Sequence, residues 1–203
     1  MNEPVAQAWG RLEHGKERLS MPEAYVWLTQ AVAEECRRLG RPPMCVELGA
    51  WCGASAMALA EGGAYVISVD TFRGLDQFTG KEALGRLGEG RGSTFDLFVK
   101  NIFNYGYAGR VVSVVATSLE AAHLFRLAGA FIDVLCHDAD HDKVAVLADL
   151  AAWWPMITPG GLVIGHDWNL VGQGVQAIIQ IVGTLPVSEG EICPDHTWLL
   201  RKG

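Results

Sequence analysis

Apolar runs and amphipathic stretches alternate along the chain from residue 20 onward. Five short apolar runs predict strands: PMCVELG, AYVISVD, VVSVVAT, FIDVLCHD and GGLVIGHDW. Stretches with helical spacing separate them, among them a helix after the third run that Ser118 is expected to cap. An amphipathic stretch from Ser20, an expected N-cap, to Gly40 predicts a helix before the first strand. Two further short strands are predicted near 184–188 and 196–201.

This order predicts an α/β fold. Strands that alternate with helices are typical of a Rossmann-like, doubly wound, mainly parallel sheet, here with seven strands. We expect one domain over 1–203, with an N-terminal helical extension over 1–40. The segment 72–104 is too long for a plain connection, and we predict that it forms a lid or substrate wall over the strand ends.

Composition narrows the function classes. The chain has 203 residues, of which 50% are hydrophobic and 19% charged, as in globular proteins. A net charge of −7 without a basic cluster argues against a nucleic-acid partner. No apolar stretch reaches the length of a membrane span, and the N-terminus lacks a signal-peptide layout, so we expect a cytoplasmic protein. Five scattered cysteines without a CxxC pair are expected to be reduced.

The first predicted strand ends in a glycine-containing turn, ELGAWCGAS. Ligands of open α/β sheets bind beyond the carboxyl ends of the strands. The spacing from Gly49 to Gly53 is GxxxG rather than the GxGxxG of dinucleotide binding, and the acidic Glu47 before it suits an ammonium or sulfonium group. Asp70 ends the second strand, where a carboxylate can accept both hydroxyls of a ribose. Together these features favour a nucleoside ligand, although either alone is equally compatible with simple turn geometry.

Two more predicted strands end in a His-Asp pair. His137-Asp138 follows the fourth strand and His166-Asp167 follows the fifth. Carboxylates and imidazoles that meet at one edge of a sheet suit Mg²⁺, Mn²⁺ or a similar ion. The alternative is that Asp138 or Asp140 caps the next helix and His166 is hydrogen-bonded in the core. Capping by Asp140 or His141 is also compatible with a metal site.

These motifs resemble the class I S-adenosylmethionine-dependent methyltransferases. They are most similar to the metal-dependent small-molecule O-methyltransferases of the macrocin O-methyltransferase and cephalosporin-hydroxylase-like group. The resemblance covers about residues 44–182: VELGAWCGASA matches the cofactor loop, VISVDTFRGL the second-strand acid, and FIDVLCHDADHDKVAVLADLAAWWPMITPGGLVIGHDW a specific signature. It implies methyl transfer from S-adenosylmethionine to a hydroxyl of a sugar or secondary metabolite, assisted by a divalent metal ion.

The resemblance also implies residue roles. The methionine part of the cofactor, its ribose and its adenine would be surrounded by Glu47, Gly49, Ala50, Gly53, Ser55, Asp70, Thr71, Ser118 and His137. The metal ligands would be Asp138, His166 and Asp167, and Asp138 would also take part in catalysis. His141 would be the catalytic base, because related catechol-type enzymes carry a lysine base at that place.

The sequence departs from the family pattern at the fifth strand. In the glycosyl-modifying members the usual pair is Asp-Asp or Asp-Asn where this chain has His166-Asp167, and an imidazole in place of a hard oxygen favours a transition metal over Mg²⁺. The third strand also lacks the acidic residue often found at its end.

Two other functions are compatible with the same residues. One is a nicotinamide-dependent oxidoreductase, because Asp70 also suits an adenosine ribose. The other is a non-catalytic, cofactor-binding partner protein with a methyltransferase fold. We expect a small-molecule substrate, with no nucleic acid or membrane as partner, and a homodimer through the N-terminal helix is one assembly that the sequence allows.

Overall fold

A mainly parallel sheet forms the centre of the protein. The structure is a computed structural model that describes residues 22–73, 94–182 and 196–203. The strands in these ranges are β1 (Met44–Leu48), β2 (Tyr65–Asp70), β3 (Val111–Val115), β4 (Ile132–His137), β5 (Ile157–Gly165) and β6 (Trp198–Arg201). Their order is β3-β2-β1-β4-β5-β6, and only β6 is antiparallel to its neighbour. The strand order therefore reverses between β1 and β4, where α/β sheets bind ligands.

Helices cover both faces of the sheet. They are α1 (Pro22–Leu39), α2 (Ala54–Glu61), α3 (Thr94–Asn104), α4 (Ser118–Leu127), α5 (Lys143–Trp153) and α6 (Trp168–Val182). One buried cluster joins α1, α2 and α3 to strand residues such as Cys45 and Val134. The other joins α4, α5 and α6 to the alternate residues, such as Val46 and Leu135. The predicted Rossmann-like, doubly wound arrangement is therefore confirmed.

The predicted N-terminal helix forms and packs along α2. The hydroxyl of Thr29 donates to the carbonyl of Ala58 at 3.0 Å. Glu35 is buried, and its carboxylate accepts a hydrogen bond from Arg201 of β6 at 3.0 Å. These contacts attach α1 both to a helix and to the far edge of the sheet. The expected cap, Ser20, lies outside the described residues.

The strand count differs from the prediction. The described ranges contain six strands, not seven. The piece near 196–201 forms β6, whereas the piece near 184–188 lies outside the described residues.

The predicted lid over 72–104 is not confirmed. Residues 74–93 lie outside the described part, and the rest of the segment includes α3. This helix buries Phe98 and Ile102 in the core. An amphipathic helix that packs on the sheet cannot move as a lid without exposing that apolar surface.

Two helix caps are also corrected. Thr117, not Ser118, caps α4, because its side chain forms a reciprocal capping box with Glu120. Asp142, not Asp138, Asp140 or His141, caps α5, and its side chain accepts hydrogen bonds from the backbone N–H groups of Val144 and Ala145.

Four of the five cysteines lie in the described ranges, namely Cys36, Cys45, Cys52 and Cys136. All four are free thiols, and the last three are buried. Within the same ranges, no helix has both the length and the apolar character needed to cross a membrane.

Candidate functional site

The loop after β1 is held between two neighbouring strands. The N–H of Gly49 donates to the carbonyl of Val69 at 2.9 Å, and the N–H of Asp138 donates to the carbonyl of Leu48 at 2.9 Å. Gly49 has a φ of +86°, and a Cβ placed there would lie 2.0 Å from the carbonyl oxygen of Asp138. Only glycine fits at this position. The loop after β1 and the polar end of β4 are therefore in direct backbone contact.

Asp70 organises this loop through its side chain. One carboxylate oxygen accepts the N–H groups of Ala50 and Trp51 at 2.8 and 2.9 Å. The other accepts the N–H of Phe72 at 2.6 Å. The carboxylate thus lies beside the loop, where the sequence predicted it, and binds backbone there. Its predicted role in holding a ribose stays a prediction.

Glu47 is a buried carboxylate with one oxygen that lacks a partner. Its Oε2 accepts the hydroxyl of Ser68 at 2.6 Å, whereas Oε1 is buried and accepts no hydrogen bond from the described residues. Burial raises the pKa of Glu47 to about 7, against the opposing effect of the nearby Ser55 and Ser68 hydroxyls, and the negative charge of Asp138 adds to the rise. A positive ligand group beside Oε1 would compensate this buried charge. The residues present therefore fit the ammonium or sulfonium of the implied cofactor.

Ser68 and Tyr25 belong to this site but escaped the sequence analysis. Ser68 is directly opposite Glu47 in the register of β2 and β1, so a polar residue in a buried strand was the available signal. Tyr25 of α1 is partly buried; burial and then the charges of Asp138 and Glu47 raise its hydroxyl pKa. Its sequence position inside an amphipathic helix gave no sign of this location.

Asn101 of α3 is a third residue that sequence reasoning missed. It is buried, and its side-chain amide donates to the carbonyl of Cys52 at 2.9 Å. The same helix places Phe98 against Gly53, whose φ is +90°. A polar residue on the apolar face of a predicted helix was the signal for it. Helix α3 therefore supports the loop after β1.

Of the remaining predicted cofactor residues, some lie at the loop after β1 and others lie at the ends of β2 and β3. Ala50 and Ser55 are buried at the loop and the start of α2. Thr71 follows Asp70, and its hydroxyl accepts the N–H of Arg73. Ser118 lies at the start of α4, where its hydroxyl accepts the indole N–H of Trp153 at 2.9 Å.

His137 is not brought to the loop. Its imidazole is buried, and Nε2 lies 3.3 Å from a carboxylate oxygen of Asp149 in α5. His137 shares a face of β4 with Leu135, since side chains alternate along a strand, and that face is covered by α5. The structure thus assigns this side chain a packing contact on the face opposite Glu47, and the predicted contact with the cofactor remains untested.

The two His-Asp strand ends meet at one corner. The N–H of His166 donates to the carbonyl of His137 at 3.3 Å, because β4 and β5 are neighbours. Donor atoms of Asp138, His141 and Asp167 all lie within 4.8 Å of one another. Nε2 of His141 is 2.9 Å from Oδ2 of Asp167, and Nδ1 of His166 is 3.1 Å from the same oxygen. The predicted ligands Asp138 and Asp167 are thus brought together with His141, while His166 contacts Asp167.

The charges in this corner affect one another. Burial raises the pKa of Asp138, and the nearby Asp167 adds to the rise against the opposing effect of His166. Burial also acts to raise the pKa of Asp167, but the imidazoles of His141 and His166 outweigh it and hold the pKa well below its usual range. Contact with Asp167 raises the pKa of His141. Two carboxylates and an imidazole at these separations fit the implied divalent metal ion.

Comparison with known proteins places this geometry in context. Residues 46–168 match a family described as a methyltransferase domain. Comparison with curated protein sequences gave no match. The fold resembles that of an O-methyltransferase from Bacillus cereus in complex with SAH, with a TM-score of 0.64 at 17% identity over 99% of this chain and 90% of that chain.

Two further solved structures are similar. The calicheamicin methyltransferase CalS11 gives a TM-score of 0.65 at 17% identity over 98% of this chain and 92% of its own. The O-methyltransferase NovP gives 0.63 at 18% identity over 89% of this chain and 80% of its own. At these identities the likeness establishes the fold.

Proposed function

The chain belongs to the methyltransferase-domain family, and from that premise we propose that it transfers the methyl group of S-adenosylmethionine to a hydroxyl of a small molecule, with the assistance of a divalent metal ion. The acceptor class is a sugar or another secondary metabolite. CalS11 is described as a TDP-rhamnose 3'-O-methyltransferase, which makes nucleotide sugars the first acceptors to test.

The contact between Gly49 and Asp138 carries this proposal. A cofactor on the loop after β1 and an acceptor at the His-Asp corner would be neighbours, because the backbones of the two places touch. Methyl transfer needs the attacking oxygen, the methyl carbon and the sulfur nearly in line. Holding two reactants in that geometry supplies about 7–11 kcal/mol in favourable cases.

At the cofactor end, the chain provides charge and shape. Glu47 would face the ammonium or sulfonium with its unpartnered Oε1. Asp70 keeps the loop N–H groups of Ala50 and Trp51 oriented. During transfer the S–CH₃ bond breaks and an O–CH₃ bond forms. The sulfonium becomes a neutral thioether, and the hydroxyl proton leaves.

At the acceptor end, Asp138 and Asp167 would hold the metal ion. A bound ion lowers the pKa of a hydroxyl that coordinates it. Asp138 and Asp167 are only partly buried, so an acceptor can reach them from solvent. Their carboxylates would orient two adjacent oxygens of the acceptor towards the cofactor.

Calorimetric titration with S-adenosylhomocysteine tests the cofactor. We expect micromolar binding to the wild-type chain and loss of binding in Gly49→Ala. NADH is the control ligand, because its binding in place of S-adenosylhomocysteine would support the oxidoreductase alternative.

Transfer of a labelled methyl group to a panel of nucleotide sugars and catechols tests the reaction. We expect labelled product with at least one acceptor, and its loss in the double variant Asp138→Asn, Asp167→Asn. Tight binding of S-adenosylhomocysteine without turnover on any acceptor would favour the non-catalytic alternative.

A further inference from the structure

Asp138, His141 and Asp167 form a mixed donor group at the His-Asp corner. Oxygens of Asp138 and Asp167 and a ring nitrogen of His141 lie within 4.8 Å of one another. His141 enters this group from the loop between β4 and α5, and not from a strand end. By resemblance to the catechol-type enzymes, His141 was expected to be the proton acceptor.

The burial and contacts of Nε2 of His141 indicate whether it can coordinate an ion. Its Nε2 is buried from solvent and lies 2.9 Å from Oδ2 of Asp167, yet it makes no aligned hydrogen bond. The nitrogen therefore points into the donor group. A lone pair in that position can coordinate an ion held by the two carboxylates.

The loop that carries His141 is fixed at both sides. Asp140 accepts the N–H of Asp142 through its side chain at 2.9 Å, and Asp142 caps α5. The backbone around His141 is therefore held by local hydrogen bonds, and its imidazole contacts Asp167. Such fixing is what a ligand position requires.

His166 lies beside Asp167 but outside the donor group. Its Nδ1 lies 3.1 Å from the same oxygen of Asp167, and its ring is outside the group of donors within 4.8 Å. The imidazole can orient Asp167 in the way that outer partners orient metal ligands.

We propose that His141 is a metal ligand together with Asp138 and Asp167, that His166 positions Asp167, and that the site therefore selects a transition-metal ion over Mg²⁺. This inference rests on the proposed function for its biological meaning. Mg²⁺ prefers an octahedral set of oxygens, whereas an imidazole suits Co²⁺, Ni²⁺, Zn²⁺ and Fe²⁺. With its nitrogen bound to the ion, His141 is not the proton acceptor, and the proton of the acceptor hydroxyl leaves to water.

Metal titration of the chelator-treated, full-length chain tests the selectivity. Calorimetry with Co²⁺ and with Mg²⁺ is expected to show Co²⁺ binding about 100-fold more tightly. His141→Ala should weaken Co²⁺ binding about 100-fold, and His141→Asp should narrow the preference for Co²⁺ over Mg²⁺ because it restores an oxygen donor. His123→Ala, at an exposed position on α4, is the matched control and should change neither affinity.

Spectroscopy of the Mn²⁺-loaded chain identifies the nitrogen ligand. Electron spin echo experiments are expected to show coupling to an imidazole ¹⁴N that disappears in His141→Ala and persists in His166→Gln. The His166→Gln chain should bind metal about 10-fold more weakly, as is usual for loss of an outer partner. Coupling that persists in His141→Ala and disappears in His166→Gln would overturn the proposal, as would equal affinity for Co²⁺ and Mg²⁺.

Binding of S-adenosylhomocysteine is measured on the same samples. If S-adenosylhomocysteine binds but no metal does, the metal inference and the metal assistance are wrong, and only the proposed use of S-adenosylmethionine stands. If metal binds through His141 but S-adenosylhomocysteine does not bind, the proposed function is wrong and the ligand assignment stands. Unchanged circular dichroism in each variant shows that a lost signal is not due to unfolding.

Discussion

At Gly49 a hydrogen atom in place of a side chain lets two strand ends touch. We expect Gly49→Ala to abolish binding of S-adenosylhomocysteine and to lower the free energy of unfolding by about 2–4 kcal/mol. The added Cβ would lie 2.0 Å from the carbonyl oxygen of Asp138, at a φ of +86°, so it adds a steric clash to the cost of about 1–2 kcal/mol for a left-handed conformation. Urea denaturation and calorimetry measure the two effects.

Gly106 provides the matched control. Its φ is +82°, but a Cβ there would meet no atom within 4 Å. Gly106→Ala should therefore lower the free energy of unfolding only by the conformational cost, about 1–2 kcal/mol. Its affinity for S-adenosylhomocysteine should not change. Equal effects of the two substitutions would contradict a close approach at Gly49.

The buried carboxylate of Glu47 is expected to destabilise the ligand-free chain at neutral pH but to favour binding of S-adenosylhomocysteine. Its pKa of about 7, against an ordinary value of 4.5, means that the folded state binds more protons than the unfolded state between these values. The free energy of unfolding of the ligand-free chain should therefore fall as pH rises from about 4.5 to about 7. In Glu47→Gln this fall should shrink by up to about 3 kcal/mol, while affinity for S-adenosylhomocysteine drops because the positive group loses its partner.

Urea denaturation at pH 5 and pH 8 checks the stability of Glu47→Gln. Glu34→Gln, at an exposed position of α1, is the control and should follow the wild-type pH profile. A wild-type chain that gains stability between pH 5 and pH 8 while Glu47→Gln does not would show that Glu47 is charged and compensated in the ligand-free protein.

Residue types at strand ends were readable from the sequence, but their directions were not. Glu47, Asp70, Asp138 and Asp167 all lie where the strand pattern predicted them. His137 does not face the loop, because alternation along β4 turns it towards Asp149 on the other face. The alternation was visible in the sequence, but which face carries which helix depends on long-range packing.

Among the elements, α1 contributes directly to the site. Thr29 contacts Ala58, Val32 contacts Gly62 and Cys36 contacts Gly63, so α1 and α2 run in the same direction. Tyr25 is one turn before Thr29 and therefore lies beside the start of α2, where the loop after β1 ends.

We expect Tyr25→Phe to weaken binding of S-adenosylhomocysteine about 5-fold. The variant would lose one hydrogen bond between the Tyr25 hydroxyl and the ligand, and such a bond contributes about 1 kcal/mol. The fold should be unaffected, since the aromatic ring remains. Calorimetry gives the affinity and thermal unfolding gives the stability. Tyr65→Phe, at an exposed tyrosine of β2, should change neither, and an unchanged affinity in Tyr25→Phe would remove its hydroxyl from the site.

The boundaries of α1 were predicted from Ser20 and Gly40, because these residue types favour the two ends of a helix through local backbone effects. The position of α1 beside the candidate site could not be predicted from such local signals. It depends on contacts between residues that are far apart in sequence, such as Glu35 with Arg201. The cap of α5 was misassigned for a related reason: four of the five residues from Asp138 to Asp142 are acidic or histidine and suit a cap, and only the backbone selects Asp142.

At the scale of the whole molecule, the loop after β1 and the His-Asp corner are joined by the backbone hydrogen bond between Leu48 and Asp138. The sheet holds β1 and β4 in register, so a ligand at one place cannot move its strand end without moving the other. Binding of cofactor and metal should therefore be coupled, even though their ligands are different side chains.

We expect the affinity for S-adenosylhomocysteine to change at least about 5-fold when metal is present, which corresponds to a coupling free energy of about 1 kcal/mol. Thermodynamic reciprocity requires that S-adenosylhomocysteine change the metal affinity by the same factor. Calorimetry in both orders of addition measures the two factors, with the metal-deficient variant Asp167→Asn as the control in which metal should have no effect. Independent binding of both ligands to the wild-type chain would mean that the contact between Gly49 and Asp138 transmits nothing, and that the two halves of the site act separately.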